Sequence, residues 1–118
     1  NYTMSDQHDN LFCDLTIFTD EERQQHLNDA EQLLAQVIAV ESSAMGYALR
    51  FSDTPQIIQQ IAQFISEDRK CCPFIHFSMD VEANGAGIWL HLKGDTAVKQ
   101  AIKSEFFSSL PDHLVKTL

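Results

Sequence analysis

The sequence contains no apolar run of the roughly 20 residues that a transmembrane helix requires, so we expect no membrane span. It is also poor in basic residues: 8 Lys and Arg stand against 17 Asp and Glu, which gives a net charge of −9. Because phosphate backbones and anionic lipids attract cationic surfaces, this balance predicts that the protein has no nucleic-acid partner and no membrane partner.

The common catalytic and nucleotide-binding motifs are absent as well. We find no G-x-S-x-G elbow, no Walker loop, no G-x-G-x-x-G and no H-E-x-x-H. No general base can be paired with a thiol from the sequence alone. Whether the chain is an enzyme is therefore left open, and these absences favour a non-catalytic protein.

Cysteine is sparse, with 3 residues in a chain of 118. Secreted disulfide scaffolds are dense in cysteine and usually carry an even number of them. A low, odd count without a recognisable signal peptide predicts reduced thiols and a cytoplasmic protein.

Length and composition indicate one folded domain. A chain of 118 residues suits a single core, and 44% hydrophobic residues is a typical globular fraction. Residues 1–10 are polar, and we expect them to be disordered or foreign to the natural protein. Residues 11–118 are expected to form a single α+β domain.

The start of this domain predicts an extended segment followed by a helix. Apolar residues alternate along residues 11–17, as in a short strand or an extended lead-in. Thr19 and Glu22 form a capping-box pattern, so a helix should begin directly after Thr19 and continue to Ile38 or Val40. Its apolar stripe comprises Leu27, Ala30, Leu34, Val37 and Ile38.

A strand and a second helix are predicted next. Gly46 opens the strand, whose alternating apolar residues are Tyr47, Leu49 and Phe51. Asp53-Thr54-Pro55 is typical of a helix start, and Pro73 should end that helix near Cys72. The apolar stripe of the second helix comprises Ile57, Ile58, Ile61, Phe64 and Ile65.

A β-hairpin is the clearest signal in the sequence. Residues 75–81 and 88–93 both alternate, and Asn84-Gly85 between them is a turn pair that accepts positive φ. A two-residue turn at this point predicts three pairs that share one face of the sheet. These pairs are Phe77 with Leu92, Met79 with Leu90, and Val81 with Ile88.

The remaining residues predict a third helix and a short tail. The helix should start at Gly94-Asp95, and the tail from Leu110 to Leu118 should add a last turn or helix. Val98, Ala101, Ile102 and Phe106 should face inward. The predicted order is (β)αβαββα, which favours an α+β two-layer sandwich: a small antiparallel sheet with a C-terminal β-hairpin, covered by two or three helices.

The end of the second helix carries the most specific chemical signal. Asp68, Cys71 and Cys72 occupy positions i, i+3 and i+4, so they share neighbouring surface of one helix. Asp68 falls near the centre of the apolar stripe, where an unpaired carboxylate is costly. Arg23 lies one turn before Leu27 on the first helix, and we predict that Arg23 pairs with Asp68 and favours the thiolate form of the cysteines.

This cluster predicts a soft-metal site. Cys13, Cys71 and Cys72 would supply three sulfur ligands, and Asp68 or a histidine would supply a fourth. Thiolates favour zinc, copper(I) and other soft ions. Two alternatives stay open: the cysteines are structural core residues, or Cys13 bonds to Cys71 or Cys72 in a thiol redox protein, since adjacent cysteines cannot form a relaxed disulfide with each other.

The outward face of the hairpin suggests a different function. His76 and His91 are diagonal neighbours in the predicted register, as in a two-histidine metal corner. Phe74 and Trp89 are aromatic residues among polar ones, which is typical of an interface. These four residues favour an alternative in which the chain is a protein-interaction or homodimeric module with structural cysteines.

The cysteine motifs resemble those of a family of small bacterial proteins of uncharacterised function. That family carries C-x-L, then an E-R helix start, then E-R-x-C-C-P-F before a hairpin. Here the motifs are Cys13-Asp14-Leu15, Glu22-Arg23 and Asp68-Arg69-Lys70-Cys71-Cys72-Pro73-Phe74. The chain has Asp68 where the family usually has Glu, and His76 and His91 are not family features. The resemblance implies no established activity.

Overall fold

The structure is a computed structural model that describes residues 11–116 and residue 118. The segment 1–10, predicted to be disordered or foreign, lies outside the described residues. Within the described part, four α-helices and a four-stranded antiparallel sheet form an α+β fold, as predicted. The elements are α1 (Asp20–Leu34), β1 (Val37–Ser43), β2 (Gly46–Phe51), α2 (Ile57–Cys71), β3 (His76–Val81), β4 (Ile88–Lys93), α3 (Thr96–Phe106) and α4 (Asp112–Val115).

The sheet has the strand order β1-β2-β4-β3, and every neighbouring pair is antiparallel. The three predicted pairs between β3 and β4 are confirmed. Alternate residues of β2 and β4 are buried on one face, where they pack with the buried residues of α2 and α3. The buried strand residues are Tyr47, Leu49, Phe51, Ile88, Leu90 and Leu92.

The hairpin turn also has the predicted form. Asn84 and Gly85 have φ values of 60° and 68°, and the Ala86 N–H donates to the Ala83 carbonyl at 3.2 Å. A two-residue turn with positive φ at both central positions matches the twist of the flanking strands. The turn therefore fixes the register of β3 against β4.

The first strand of the predicted order is wrong, and the first helix is shorter than predicted. The lead-in from residue 11 contains only a short 3₁₀ turn, Leu15–Ile17. Helix α1 ends at Leu34, and the following residues form β1, which pairs with β2 instead of extending the helix. Val37, Ile38 and Val40 are β-branched residues that suit a strand, and the sheet offers them the open edge of β2.

Most of the other predicted helix boundaries are confirmed. At the start of α1 the Thr19 hydroxyl accepts a hydrogen bond from the Glu22 N–H at 3.2 Å, and the Glu22 side chain accepts one from the Thr19 N–H at 2.9 Å, which confirms the capping box. Helix α2 starts at Ile57, later than predicted, and stops before Pro73. The four predicted inward residues of α3 are all buried.

Among the described residues, no helix has both the length and the apolar character that crossing a membrane requires.

Candidate metal centre

The candidate centre lies where the lead-in meets the end of α2. The Asp14 backbone N–H donates to the Cys71 carbonyl at 2.8 Å, which brings Cys13 beside the end of this helix. Cys72 is the C-terminal cap of α2, and its N–H donates to the Asp68 carbonyl at 2.8 Å. Since Pro73 cannot continue the helix, the two adjacent cysteines are held at its last turn.

The three cysteines converge in space. Their sulfur atoms all lie within 4.8 Å of one another. Cys13 and Cys72 form a disulfide across 59 sequence positions, and Cys71 is free. The expectation of three reduced thiols therefore differs from the structure, which has the Cys13–Cys72 bond that sequence reasoning left open. The Cys71 Sγ lies 3.6 Å from the Cys72 Sγ.

Asp68 is buried, as its place on the apolar stripe predicts, but its predicted partner is wrong. Its Oδ1 accepts a hydrogen bond from His26 Nε2 at 2.9 Å, and the two side chains are each 4% exposed. Arg23 instead donates to the carbonyls of Leu15 and Phe18 and to Asp20. Because Arg23 lies in the first turn of α1, it meets the carbonyls of the lead-in before it can reach α2.

His26 is the buried residue of this centre that sequence reasoning missed. It lies in α1 between the rings of Phe18 and Phe64, with ring centroids 5.4 and 6.0 Å away. The predicted stripe included Leu27, which is 43% exposed, and left out Leu33, which is buried. A stripe rotated toward Leu33 and Leu34 would have put His26 on the inner face.

The surroundings of Cys71 keep its thiol protonated in the absence of a cation. Its Sγ lies 3.4 Å from the Asp68 carbonyl oxygen and 3.7 Å from Asp68 Oδ1. Burial is the main cause that raises the pKa of Cys71 to about 12, and the negative charge of Asp68 adds to it. The effect is opposite to the thiolate stabilisation that an arginine was predicted to give.

A small cavity of about 120 Å³ adjoins these groups. Its lining includes Cys13, His26, Asp68, Cys71 and Glu105 of α3. Burial raises the pKa of Glu105, a hydrogen bond with the Cys13 backbone lowers it, and the charge of Asp68 raises it further. Carboxylates, a thiol and an imidazole around one cavity form a donor set for a cation.

Three of the four residues of the predicted interface, His76, Trp89 and His91, lie on the outer face of the sheet, and Phe74 does not. Phe74 precedes β3 and packs against the core. Trp89 lies on the outer face of β4, where its indole N–H donates to Glu82 at 3.1 Å and Arg50 lies 5.8 Å from the ring centroid. His76 and His91 are diagonal in the register. In the described part of the chain, neither histidine belongs to a group of three metal-ligating side chains.

Comparisons of the chain with protein-family models, with curated proteins and with solved structures found no match. The chemistry of the centre is therefore interpreted from its own atoms.

Proposed function

We propose that the reduced protein binds a soft metal ion, such as zinc or copper(I), through the thiolates of Cys13, Cys71 and Cys72. The observation that carries this proposal is the convergence of the three sulfur atoms within 4.8 Å. With Zn–S bonds of about 2.3 Å, two sulfurs on one tetrahedral zinc lie about 3.8 Å apart. The 3.6 Å between the sulfurs of Cys71 and Cys72 is close to that spacing.

Asp68 is the fourth ligand of this proposed site. With bonds of about 2.3 Å to sulfur and 2.0 Å to oxygen, the two ligand atoms would be about 3.5 Å apart on a tetrahedral zinc. Asp68 Oδ1 lies 3.7 Å from the Cys71 Sγ. His26 holds the carboxylate in place from the other side, in the role that such hydrogen-bonded partners have around metal ligands.

The disulfide makes the proposed binding depend on reduction. Opening the Cys13–Cys72 bond requires two electrons and two protons, and a dithiol reductant supplies both while it is oxidised to its own disulfide. The metal ion then replaces the thiol protons, because metal-bound cysteine is a thiolate. Oxidation reverses the change and removes two of the three sulfur ligands.

A cadmium titration of the reduced protein tests this function. We expect one Cd²⁺ per chain, with the ultraviolet band of cadmium thiolates and protection of the cysteines from alkylation. The Cys71→Ser/Cys72→Ser double variant should bind Cd²⁺ more than about 100-fold more weakly. Removing a group that supports one metal ligand lowers the affinity by up to about 100-fold, and this variant loses two ligands. His91→Gln, on the outer face of the sheet, is the matched control and should bind like the unaltered protein. No binding by the reduced protein, or equal binding by the double variant, would reject the proposal.

A further inference from the structure

A second group of ligand atoms lies beside the three sulfurs. One ligand atom each from His26, Asp68 and Cys71 lies within 4.8 Å of the others. All three residues are buried, with exposed fractions of 4%, 3% and 1%. None of these atoms takes part in the disulfide, so this group stays complete when Cys13 is bonded to Cys72.

Unpaired polar atoms occur in this same group. In the described part of the chain, three buried side-chain nitrogen or oxygen atoms lack a hydrogen-bond partner, and two of them are His26 Nδ1 and Asp68 Oδ2. The third, Arg50 Nε, lies on the sheet. Buried polar atoms are almost always bonded, because losing water without a replacement is costly. These two atoms are unused by the pair: Asp68 Oδ2 is a further acceptor for a cation, and His26 Nδ1 can carry the imidazole proton when Nε2 binds an ion.

We propose that His26, Asp68 and Cys71 form a second site, which shares Asp68 and Cys71 with the three-thiolate site, for a divalent cation of borderline softness, such as Zn²⁺, in the oxidised protein. Imidazole, carboxylate and thiolate are all zinc ligands. The carboxylate and the thiolate together carry two negative charges, which balance the charge of the ion inside the low-dielectric core. The site does not depend on the three-thiolate function, since it needs neither Cys13 nor Cys72.

One spacing already suits such an ion, and a second is about 0.4 Å short: His26 Nε2 and Asp68 Oδ1 are 2.9 Å apart, whereas two such ligands on a tetrahedral zinc would be about 3.3 Å apart. Asp68 Oδ1 and the Cys71 Sγ lie 3.7 Å apart, near the roughly 3.5 Å of two such ligands on a tetrahedral zinc. When the ion binds, it replaces the proton that lies between His26 Nε2 and Asp68 Oδ1, and this proton moves to Nδ1 of the same ring. The ion also displaces the Cys71 thiol proton, which goes to solvent.

The fourth position of this site faces the cavity. A volume of about 120 Å³ holds a water molecule or a small ligand. Glu105 lines the same cavity, where its carboxyl group can hydrogen bond to that molecule. Three protein ligands with an open fourth position is the arrangement of catalytic zinc sites, whereas structural zinc sites are closed by four protein ligands.

Cobalt(II) titration of the oxidised protein tests this site, because Co²⁺ takes zinc ligands and absorbs visible light. With the disulfide and the free Cys71 thiol verified by mass spectrometry, we expect one Co²⁺ per chain. The sulfur-to-cobalt band should have about one third of the intensity of a three-thiolate complex, since one sulfur is bound. His26→Gln and Cys71→Ser should each weaken cobalt binding by more than about tenfold. Removing a group that only supports a metal ligand already costs at least about tenfold in affinity, and removing a ligand should cost no less.

Two further variants separate this site from the three-thiolate site. Cys13→Ala/Cys72→Ala should keep cobalt binding with a single-sulfur band. Reduced His26→Gln should bind Cd²⁺ with a three-thiolate band, at an affinity lowered by about 10- to 100-fold because His26 supports the Asp68 ligand. Oxidised protein that shows no sulfur-to-cobalt band, or His26→Gln with unchanged cobalt affinity, would overturn the inference. Reduced protein that binds Cd²⁺ through a single thiolate, as Cys13→Ala/Cys72→Ala should, would reject the three-thiolate function alone.

Discussion

Cys71 has an environment that suppresses its reactivity. It is almost fully buried, its S–H lies against the Asp68 carbonyl oxygen, and the Asp68 carboxylate is nearby. A thiol reacts through its anion, so the surroundings that raise its pKa also slow its reactions. This effect can be measured directly in the oxidised protein, where Cys71 is the free thiol.

Alkylation of the oxidised, metal-free protein should be very slow at pH 8. The pKa of Cys71 rises from an ordinary value of 9.0 to about 12 through burial and the charge of Asp68. At pH 8 the thiolate fraction is therefore about 1000-fold smaller than in the unfolded chain. We expect the rate with iodoacetamide to be lower than in urea by at least that factor, and to rise about tenfold per pH unit above pH 9 while the fold persists. A rate that levels off near pH 9 would contradict this.

Single residues show how far the sequence leads to the centre. The sequence identified Asp68 as a buried carboxylate, because its position on the α2 stripe is set by regular helical spacing. The predicted partner of Asp68 was wrong: Arg23 was chosen because its side chain is long and carries a full positive charge. His26 is the partner of Asp68 instead, because its ring faces the core in the first half of α1, where it lies between Phe18 and Phe64.

At the level of elements, β1 shows the limit of periodicity. Val37, Ile38 and Val40 fit both a continued α1 stripe and a strand, so local pattern alone does not decide between them. The strand forms because β2 pairs with β4 on one edge only, and residues 37–43 supply hydrogen-bonding partners for its other edge. The β-hairpin was predictable because its turn residues and its alternation agree with each other.

Gly46 is the residue at which β2 depends most on having no side chain. Its φ is 145°, and a methyl group there would overlap the Leu92 carbonyl oxygen of the neighbouring strand. Since backbone cannot move aside like a side chain, Gly46→Ala should lower the free energy of unfolding by more than about 2 kcal/mol. Thermal or urea unfolding of the oxidised protein measures this.

Gly87→Ala is the matched control for that substitution. A methyl group at Gly87 would meet the flexible end of the Glu82 side chain, and the φ of Gly87 is not in the left-handed region. Its cost should stay below about 1 kcal/mol. Equal losses for the two variants would show that the backbone overlap at Gly46 is not the cause.

On the scale of the whole molecule, the disulfide joins the lead-in to the end of α2 across 59 positions. The sequence could not predict this, because convergence of Cys13 with Cys72 depends on how the lead-in crosses the helix pair. With the disulfide formed, the centre has one free thiol, and with the disulfide reduced it has three. Fold class, hairpin register and the adjacent cysteines were accessible from local pattern, but the convergence was not.

Reduction should destabilise the metal-free protein. A cross-link over 59 residues restricts the unfolded chain by about 4 kcal/mol in the chain-entropy account. We expect a reductant to lower the free energy of unfolding by up to that amount, and Zn²⁺ at 100 times its dissociation constant to restore about 2.7 kcal/mol. Urea unfolding with and without metal measures both. Cys13→Ala/Cys72→Ala should not respond to the reductant, and a response in this variant would place the effect elsewhere.

The direction of α2 sets the electrostatic polarity at its last turn. This helix ends at Cys71, so the negative end of its macrodipole, equivalent to about half an electron charge, lies at the sulfur atoms. Many thiol oxidoreductases place the reactive cysteine at the opposite end of a helix, where the positive pole favours the thiolate. Here the macrodipole works against a free anion and in favour of a bound cation. The fold thus makes Cys71 a weak nucleophile, and the same polarity supports the proposal that the cysteine cluster holds a metal.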